Sequence, residues 1–385
     1  MLKIKTLNNI SASGLSRLPA DRYEIVDELD SADAVLVRSA DMHAVELPAS
    51  VLAVGRAGAG TNNIPVAKLS KQGVVVFNAP GANANAVKEL VLAGMLISAR
   101  NLHDALGFVA GLQAEHMEET IESQKKRFVG NELAGRTLGV VGLGAIGVRV
   151  ANAARALGMR VVGFDPHMTV DGAWALSSDV IKASGLNELF SSCDFISFHV
   201  PLIDATRGLF NAQALTVLKP GATLLNFSRD GIVDAEALKQ GLNDGRIGRY
   251  VSDFPKGDLI RHPRVIALPH LGASTHEAEE NCAVMVVDQV RDYLENGNIS
   301  HSVNFPSTRM SRGARSRICI ANLNKPNMIG QLSQVLGANG INISQMHNAS
   351  KGENAYNLVD VDNEVGTEVL TQLRAIDGVL SVRVV

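Results

Sequence analysis

Thr137-Leu138-Gly139-Val140-Val141-Gly142-Leu143-Gly144-Ala145-Ile146-Gly147 decides the fold. An apolar strand runs straight into a Gly-x-Gly-x-x-Gly turn, and helical periodicity from Val148 to Leu157 leaves it. Each glycine has a job in such a turn. Gly142 permits the tight bend, Gly144 lets backbone approach a pyrophosphate, and Gly147 lets helix and strand pack closely. The first helical turn, through Ala145 and Ile146, then offers free N–H groups to phosphate. A second strand, Arg160-Val161-Val162-Gly163-Phe164, ends at Asp165. A carboxylate there accepts bonds from ribose hydroxyls and repels a 2′-phosphate, so the expected dinucleotide is NAD, not NADP.

The same alternation extends outward. Ala34-Val35-Leu36-Val37, residues 51–55 and residues 74–77 read as buried parallel strands, followed by helical periodicity from Asn85 to Leu102. After a polar stretch from Glu115 to Asn131, residues 195–198 and 223–227 continue the second strand–helix series. A helix from Thr275 to Glu295 stops at Asn296-Gly297-Asn298. The segment from Asn304 to Arg315, rich in Pro, Ser, Arg and Gly, reads as a linker to a detachable unit. That unit is ordered strand (317–323), helix (330–337), strand (341–348), strand (355–361), helix (367–375), strand (379–385). The expected fold is therefore α/β. It has two doubly wound parallel-sheet domains, a flavodoxin-like substrate-binding one and a Rossmann one for NAD, and a βαββαβ ferredoxin-like tail. The expected boundaries are 1–98 with 281–305, 99–280, a linker at 306–316, and 317–385.

Composition narrows the function. The chain has 385 residues, 46% of them hydrophobic and 19% charged, which is ordinary globular composition with room for more than one domain. A net charge of −3 gives no electrostatic case for nucleic acid. No run approaches a membrane span, and Met1-Leu2-Lys3-Ile4-Lys5-Thr6 reads as a strand, not a secretory leader. Cys193, Cys282 and Cys319 are scattered, fit no metal-ligand spacing and suit a reducing cytoplasm.

Chemistry on a nicotinamide cofactor needs a proton-transfer group and a cation for an acid substrate. His270, in Leu268-Pro269-His270-Leu271-Gly272-Ala273-Ser274-Thr275, can take a hydroxyl proton. Arg229, just past residues 223–227, can hold a carboxylate in a bidentate fork. Arg38 with Ser39, and Arg56 with Ala57 and Gly58, also follow apolar strands, where α/β sheets place ligands. Lys125, Lys126 and Arg127 form either a solvated loop or an arm toward a neighbouring subunit.

Gly142 to Gly147 with Asp165-Pro166, His199-Val200-Pro201-Leu202, Asn226-Phe227-Ser228-Arg229-Asp230-Gly231 and the His270 segment resemble the ordered motifs of the D-2-hydroxyacid dehydrogenases. Gly55-Arg56-Ala57-Gly58-Ala59-Gly60 and Asn78-Ala79-Pro80-Gly81 are similar to the branch acting on 3-phosphoglycerate. The resemblance implies NAD-dependent oxidation of 3-phospho-D-glycerate to 3-phosphohydroxypyruvate, the first step of L-serine biosynthesis, by a homodimer or homotetramer. It implies that Arg229 binds the substrate carboxylate and that His270 is the acid/base. Val200, Phe227, Ser228, Asp253 and Gly272 would lie along the cofactor. The family's third catalytic residue is a glutamate, and Gly257 stands at that position here. Asp258 is the first candidate to replace it and Asp253 the second. Two alternatives remain: a dehydrogenase or reductase for glyoxylate, lactate or a similar acid, and a catalytically weak NAD-sensing regulator. The tail resembles an ACT regulatory domain, which implies L-serine as an effector held by Asn322, Asn324 and Asn342.

Overall fold

The computed structural model describes every residue except 114–116, 255, 314 and 315. Part of the expected 306–316 linker and of the polar stretch after Glu115 therefore lies outside the described residues. Among the described residues no helix is long and apolar enough to cross a membrane, and no three His, Cys, Asp or Glu side chains gather as a metal site.

The chain divides into two compact units, Met1–Asn83 with His276–Val385, and Ala84–Thr275. The first holds a parallel sheet of β1 (Leu2–Leu7), β2 (Tyr23–Val26), β3 (Ala34–Val37), β4 (Ala53–Arg56) and β5 (Val75–Phe77), in the order β2-β1-β3-β4-β5. β3 is buried along its whole length, as a central strand covered on both faces must be. The second unit holds β6 (Thr137–Val141), β7 (Arg160–Phe164), β8 (Ile181–Lys182), β9 (Phe195–Phe198), β10 (Ala222–Asn226), β11 (Ile247–Ser252) and β12 (Val265–Ala267). Their order is β12-β11-β10-β9-β6-β7-β8, and every pairing is parallel.

The unit boundaries differ from the expected 98/99 and 280/281, and packing gives the reason. The Ala84–Ala99 helix lies on the second sheet. A Cβ added to its Gly94 would sit 3.1 Å from Phe227 Cζ and 3.2 Å from Val251 Cγ1. The His276–Asn296 helix belongs wholly to the first unit, where its Ala283 meets Gly14 and its Val286 and Val290 meet Gly55.

The tail forms an antiparallel sheet of β13 (Ser316–Leu323), β14 (Ile343–Lys351), β15 (Asn354–Val361) and β16 (Val379–Val384), in the order β14-β15-β13-β16. Helices Met328–Ala338 and Thr367–Arg374 complete the βαββαβ arrangement. Its apolar inner face, including Ile318, Ile320, Val359 and Val361, packs with Leu332 and Leu336 of the first helix and Leu373 of the second. On the other face, β13 and β15 are also buried. Cys319, Tyr356 and Leu358 share one core with Phe77 of β5, Tyr293 and Phe305.

The expectation of a detachable tail is therefore corrected. The linker is itself packed: Phe305 and Thr308 are fully buried, and Ile299 bridges Thr308 in antiparallel fashion. Five consecutive carbonyls at the end of the His276–Asn296 helix receive donors from this segment and the tail. Arg383 donates to Tyr293 O and Leu294 O, Arg312 to Glu295 O, Arg317 to Asn296 O, and the Tyr356 hydroxyl to Gly297 O. Helix ends leave such carbonyls short of internal partners, although Tyr293 O also accepts the Gly297 N–H at 2.8 Å, so these side chains act as an external cap.

Arg317 is the hub of that cap and is completely buried. Its Nε and Nη2 hold Asp360 at 2.5 and 2.9 Å. Its Nη1 also reaches Met310 O at 2.9 Å, and its Nη2 reaches Ser311 O at 2.9 Å. With Asn296 O, all five guanidinium donors are used.

Candidate active site

Parallel pairing aligns one row across the second sheet: Phe164, Val141, Phe198, Asn226, Ser252 and Ala267. The chain leaves all six strands on the same edge. Asp165, Gly142, His199, Phe227, Asp253 and Leu268 follow directly, with Arg229 and His270 two residues further on. Ligands of open α/β sheets lie at this carboxyl edge.

The glycine turn has the geometry a dinucleotide needs. Gly142 adopts φ +90°, a left-handed backbone that favours glycine. A Cβ on Gly147 would lie 1.9 Å from Gly142 O, so only glycine lets the helix approach. A Cβ on Gly144 would meet nothing within 4 Å, and Gly144 begins the Ala145–Ala156 helix with no side-chain cap. That open approach to a helix N-terminus fits a pyrophosphate. Asp165 Oδ2 accepts the Leu143 N–H at 2.8 Å and Oδ1 accepts the His167 N–H at 2.8 Å. Its carboxylate is thus held in place with lone pairs left for ribose hydroxyls. Asp165→Ala is expected to weaken NAD binding by about tenfold and to narrow the preference over NADP. Titration of both cofactors checks this, and equal use of NADP by the unaltered protein would contradict it.

Of the other residues expected along the cofactor, Val200 Cγ1 comes within 2.8 Å of the Cβ position on Gly142. Phe227 is a correction: its ring is buried beneath Gly94 in the core, leaving only its backbone at the edge. His199 bonds Ser197 Oγ through Nε2 at 2.9 Å, and burial pushes its pKa down to about 3. It is a neutral, structural histidine.

Sequence reasoning missed Asn226, which is fully buried and shapes the arginine loop. Its Oδ1 accepts the Ser228 N–H at 3.2 Å and hydroxyl at 3.0 Å, and its Nδ2 donates to Arg229 O at 2.9 Å. Its own carbonyl accepts from Ser252 Oγ at 3.1 Å. The signal was an amide at the end of an otherwise apolar strand. Arg229 itself is exposed, with Nη1 on Ser228 O at 2.7 Å. Neighbouring Asp230 is engaged by Lys256 Nζ at 3.1 Å.

His270 stands on a backbone of φ +54°, uncommon for a residue with a side chain. Asp253, 1% exposed, explains how that is held. Its Oδ1 accepts the Leu271 N–H at 2.6 Å and its Oδ2 accepts the Gly272 N–H at 2.7 Å. Phe254 packs against the imidazole with ring centroids 4.9 Å apart and the ring planes tilted by 54°. The structure does not join Asp258 to His270. Asp258 is exposed in the turn Gly257–Arg261, with neither a hydrogen bond nor an ion pair to the histidine. The turn opens at Gly257, whose φ is +28°. Asp253 grips the backbone of the histidine loop, not the ring.

In the first unit, Arg38 and Ser39 follow β3, and Arg56, Ala57 and Gly58 end or follow β4. Arg38 Nη2 is paired with Glu279 Oε1 at 2.5 Å. In the tail, Asn342 lies apart from Asn322 and Asn324 within one chain. Asn322 and Ser350 both pair with Ala355 at one end of the sheet, whereas Asn342 precedes β14 at the other. At about 3.3 Å per residue, that separation is on the order of 26 Å. Asn322 is also spent internally, donating to Leu323 O and accepting from Asn357. Lys125 pairs with Glu122, and Arg127 covers the rings of Phe108 and Phe128.

Residues 92–272 match the family described as D-isomer specific 2-hydroxyacid dehydrogenase, NAD binding domain. A D-3-phosphoglycerate dehydrogenase of Haemophilus influenzae is 32% identical over 353 residues, covering 88% of this chain and 82% of that one. The chain belongs to the D-2-hydroxyacid dehydrogenase family. Its second unit carries the family's NAD-binding domain. A D-3-phosphoglycerate dehydrogenase of Synechocystis is 38% identical over 292 residues, 74% of this chain and 50% of that protein. The chain thus spans about half the length of several of the curated relatives it matches. Among solved structures, the NAD⁺-bound 3-phosphoglycerate dehydrogenase of Entamoeba histolytica superposes with a TM-score of 0.62 at 26% identity, covering 79% of this chain and 98% of that one.

Proposed function

We propose that this dehydrogenase oxidises 3-phospho-D-glycerate to 3-phosphohydroxypyruvate with NAD, the first step of L-serine biosynthesis. The observation that carries the reading is the row of strand ends that sets Arg229 past β10 and His270 past β12, the strands on either side of β11, on the same edge as the glycine cradle. The similarity to proteins named D-3-phosphoglycerate dehydrogenase supports it. When bound, NAD supplies the hydride acceptor. Arg229 holds the substrate carboxylate and polarises the neighbouring oxygen. His270 takes the hydroxyl proton, or returns it in the reverse direction. Asp253 fixes the loop from which His270 works, and Asn226 fixes the one that carries Arg229. Turnover of 3-phosphoglycerate with NAD, against unphosphorylated glycerate and lactate, tests the reading. One observation favours an unphosphorylated acid instead, namely the engagement of Arg38 by Glu279. The β14-β15-β13-β16 order supports an ACT-type tail, and calorimetric titration with L-serine tests the effector role.

Asp253 and Asp258 separate by substitution. Asp253→Asn presents an amide to two N–H donors and leaves at least one of them unsatisfied in a buried place. Its kcat is expected to fall about tenfold, because that penalty of ~1–3 kcal/mol falls on the histidine loop. Asp258→Asn is expected to stay within about twofold, as an exposed group without a partner in the mechanism. Steady-state kinetics of the two variants decide, and the opposite ranking returns Asp258 to the site.

A further inference from the structure

The order of the first sheet reverses between β1 and β3, the switch point at which open α/β sheets hold ligands. The chain leaving those strands, residues 9–12 and Arg38, lines a cavity of about 340 Å³ with His276, Glu279 and Glu280. Its charge is unlike that of a phosphate site. Arg38 donates to Glu279 at 2.5 Å, with both side chains 38% exposed, and Glu280 adds a second carboxylate. Arg56 turns its Nε onto Arg38 O at 3.1 Å, and its Nη1 lies 2.0 Å from where a Cβ of Gly58 would stand. An incoming dianion meets at Arg38 a guanidinium whose charge is already balanced.

We infer that Glu279 is a specificity-determining residue: its carboxylate takes the Arg38 donor that a substrate phosphate would use, so a phosphorylated acid binds by displacing it. An ion pair this exposed holds weakly. A doubly charged phosphate with several acceptor oxygens replaces it, whereas a hydroxymethyl or methyl group has nothing to offer Arg38. The pair therefore filters substrates by charge. The inference rests on the proposed turnover of a phosphorylated acid, and its test includes a measurement that needs no turnover.

Glu279→Gln is expected to lower the KM for 3-phosphoglycerate about five- to tenfold, and the Kd for inorganic phosphate measured by calorimetry by a similar factor. Glu280→Gln removes the same charge from the cavity without vacating Arg38 and is expected to shift both by less than about twofold. Arg38→Ala in the Glu279→Gln background is expected to erase the gain. Phosphate binding that is unchanged or weaker in Glu279→Gln, or an equal gain in Glu280→Gln, overturns the inference. Tighter phosphate binding without turnover of 3-phosphoglycerate in either protein upholds the competition at Arg38 but overturns the role of Glu279 in substrate choice, together with the substrate reading.

Discussion

His270→Ala is expected to reduce kcat by ~10²–10⁴-fold, the range lost with a positioned acid/base. The substitution removes the imidazole from an exposed loop whose shape is set elsewhere. Asp253 still grips the N–H groups of residues 271 and 272. NAD affinity is expected to hold within about threefold, since the cradle at residues 142–147 and Asp165 stands on β6 and β7, several strands away from β12. The split between kcat and cofactor Kd is the diagnostic. Near-normal turnover would remove His270 from the mechanism, and loss of NAD binding would make it a structural residue.

Arg317→Ala is expected to destabilise the first unit by about 3–5 kcal/mol, as breaking a buried ion pair does. Asp360 is 1% exposed and would keep an uncompensated charge. Three carbonyls, of Asn296, Met310 and Ser311, would lose their donor at the same time. For that reason the double variant Arg317→Met/Asp360→Leu is not expected to recover fully, although apolar replacement of a simple ion pair often does. Urea unfolding of the two variants measures this. A midpoint within the error of the unaltered protein would show that the tail contributes little to the stability of its unit.

Much of the architecture could be read from the chain because its central strands are continuous apolar runs. Residues 34–37, 137–141, 160–164 and 195–198 match their strands end to end. The strands that escaped notice lie at or near edges or mix residue types. β2 has two exposed positions, β8 has only two residues, and β11 carries Gly248 and Arg249. The tail's order was legible because each element has its own apolar period. Its attachment was not, because Pro, Ser and Gly suggest a tether while the decisive contacts are arginines reaching carbonyls. In the site, the glycine turn and Asp165 announce themselves locally. The pairing of Arg38 with Glu279 joins residues 241 positions apart, and the grip of Asp253 on the histidine loop runs through backbone N–H groups that no side-chain pattern encodes.

The capped end of the His276–Asn296 helix sets a rule for recombination. A tail borrowed from another dehydrogenase would have to offer donors to five successive carbonyls, from Tyr293 to Gly297, in the same order. The natural crossover point is therefore not the Pro- and Ser-containing stretch where a gene would most readily be cut. It lies upstream of Tyr293, inside the helix, so that plug and socket are inherited as one piece.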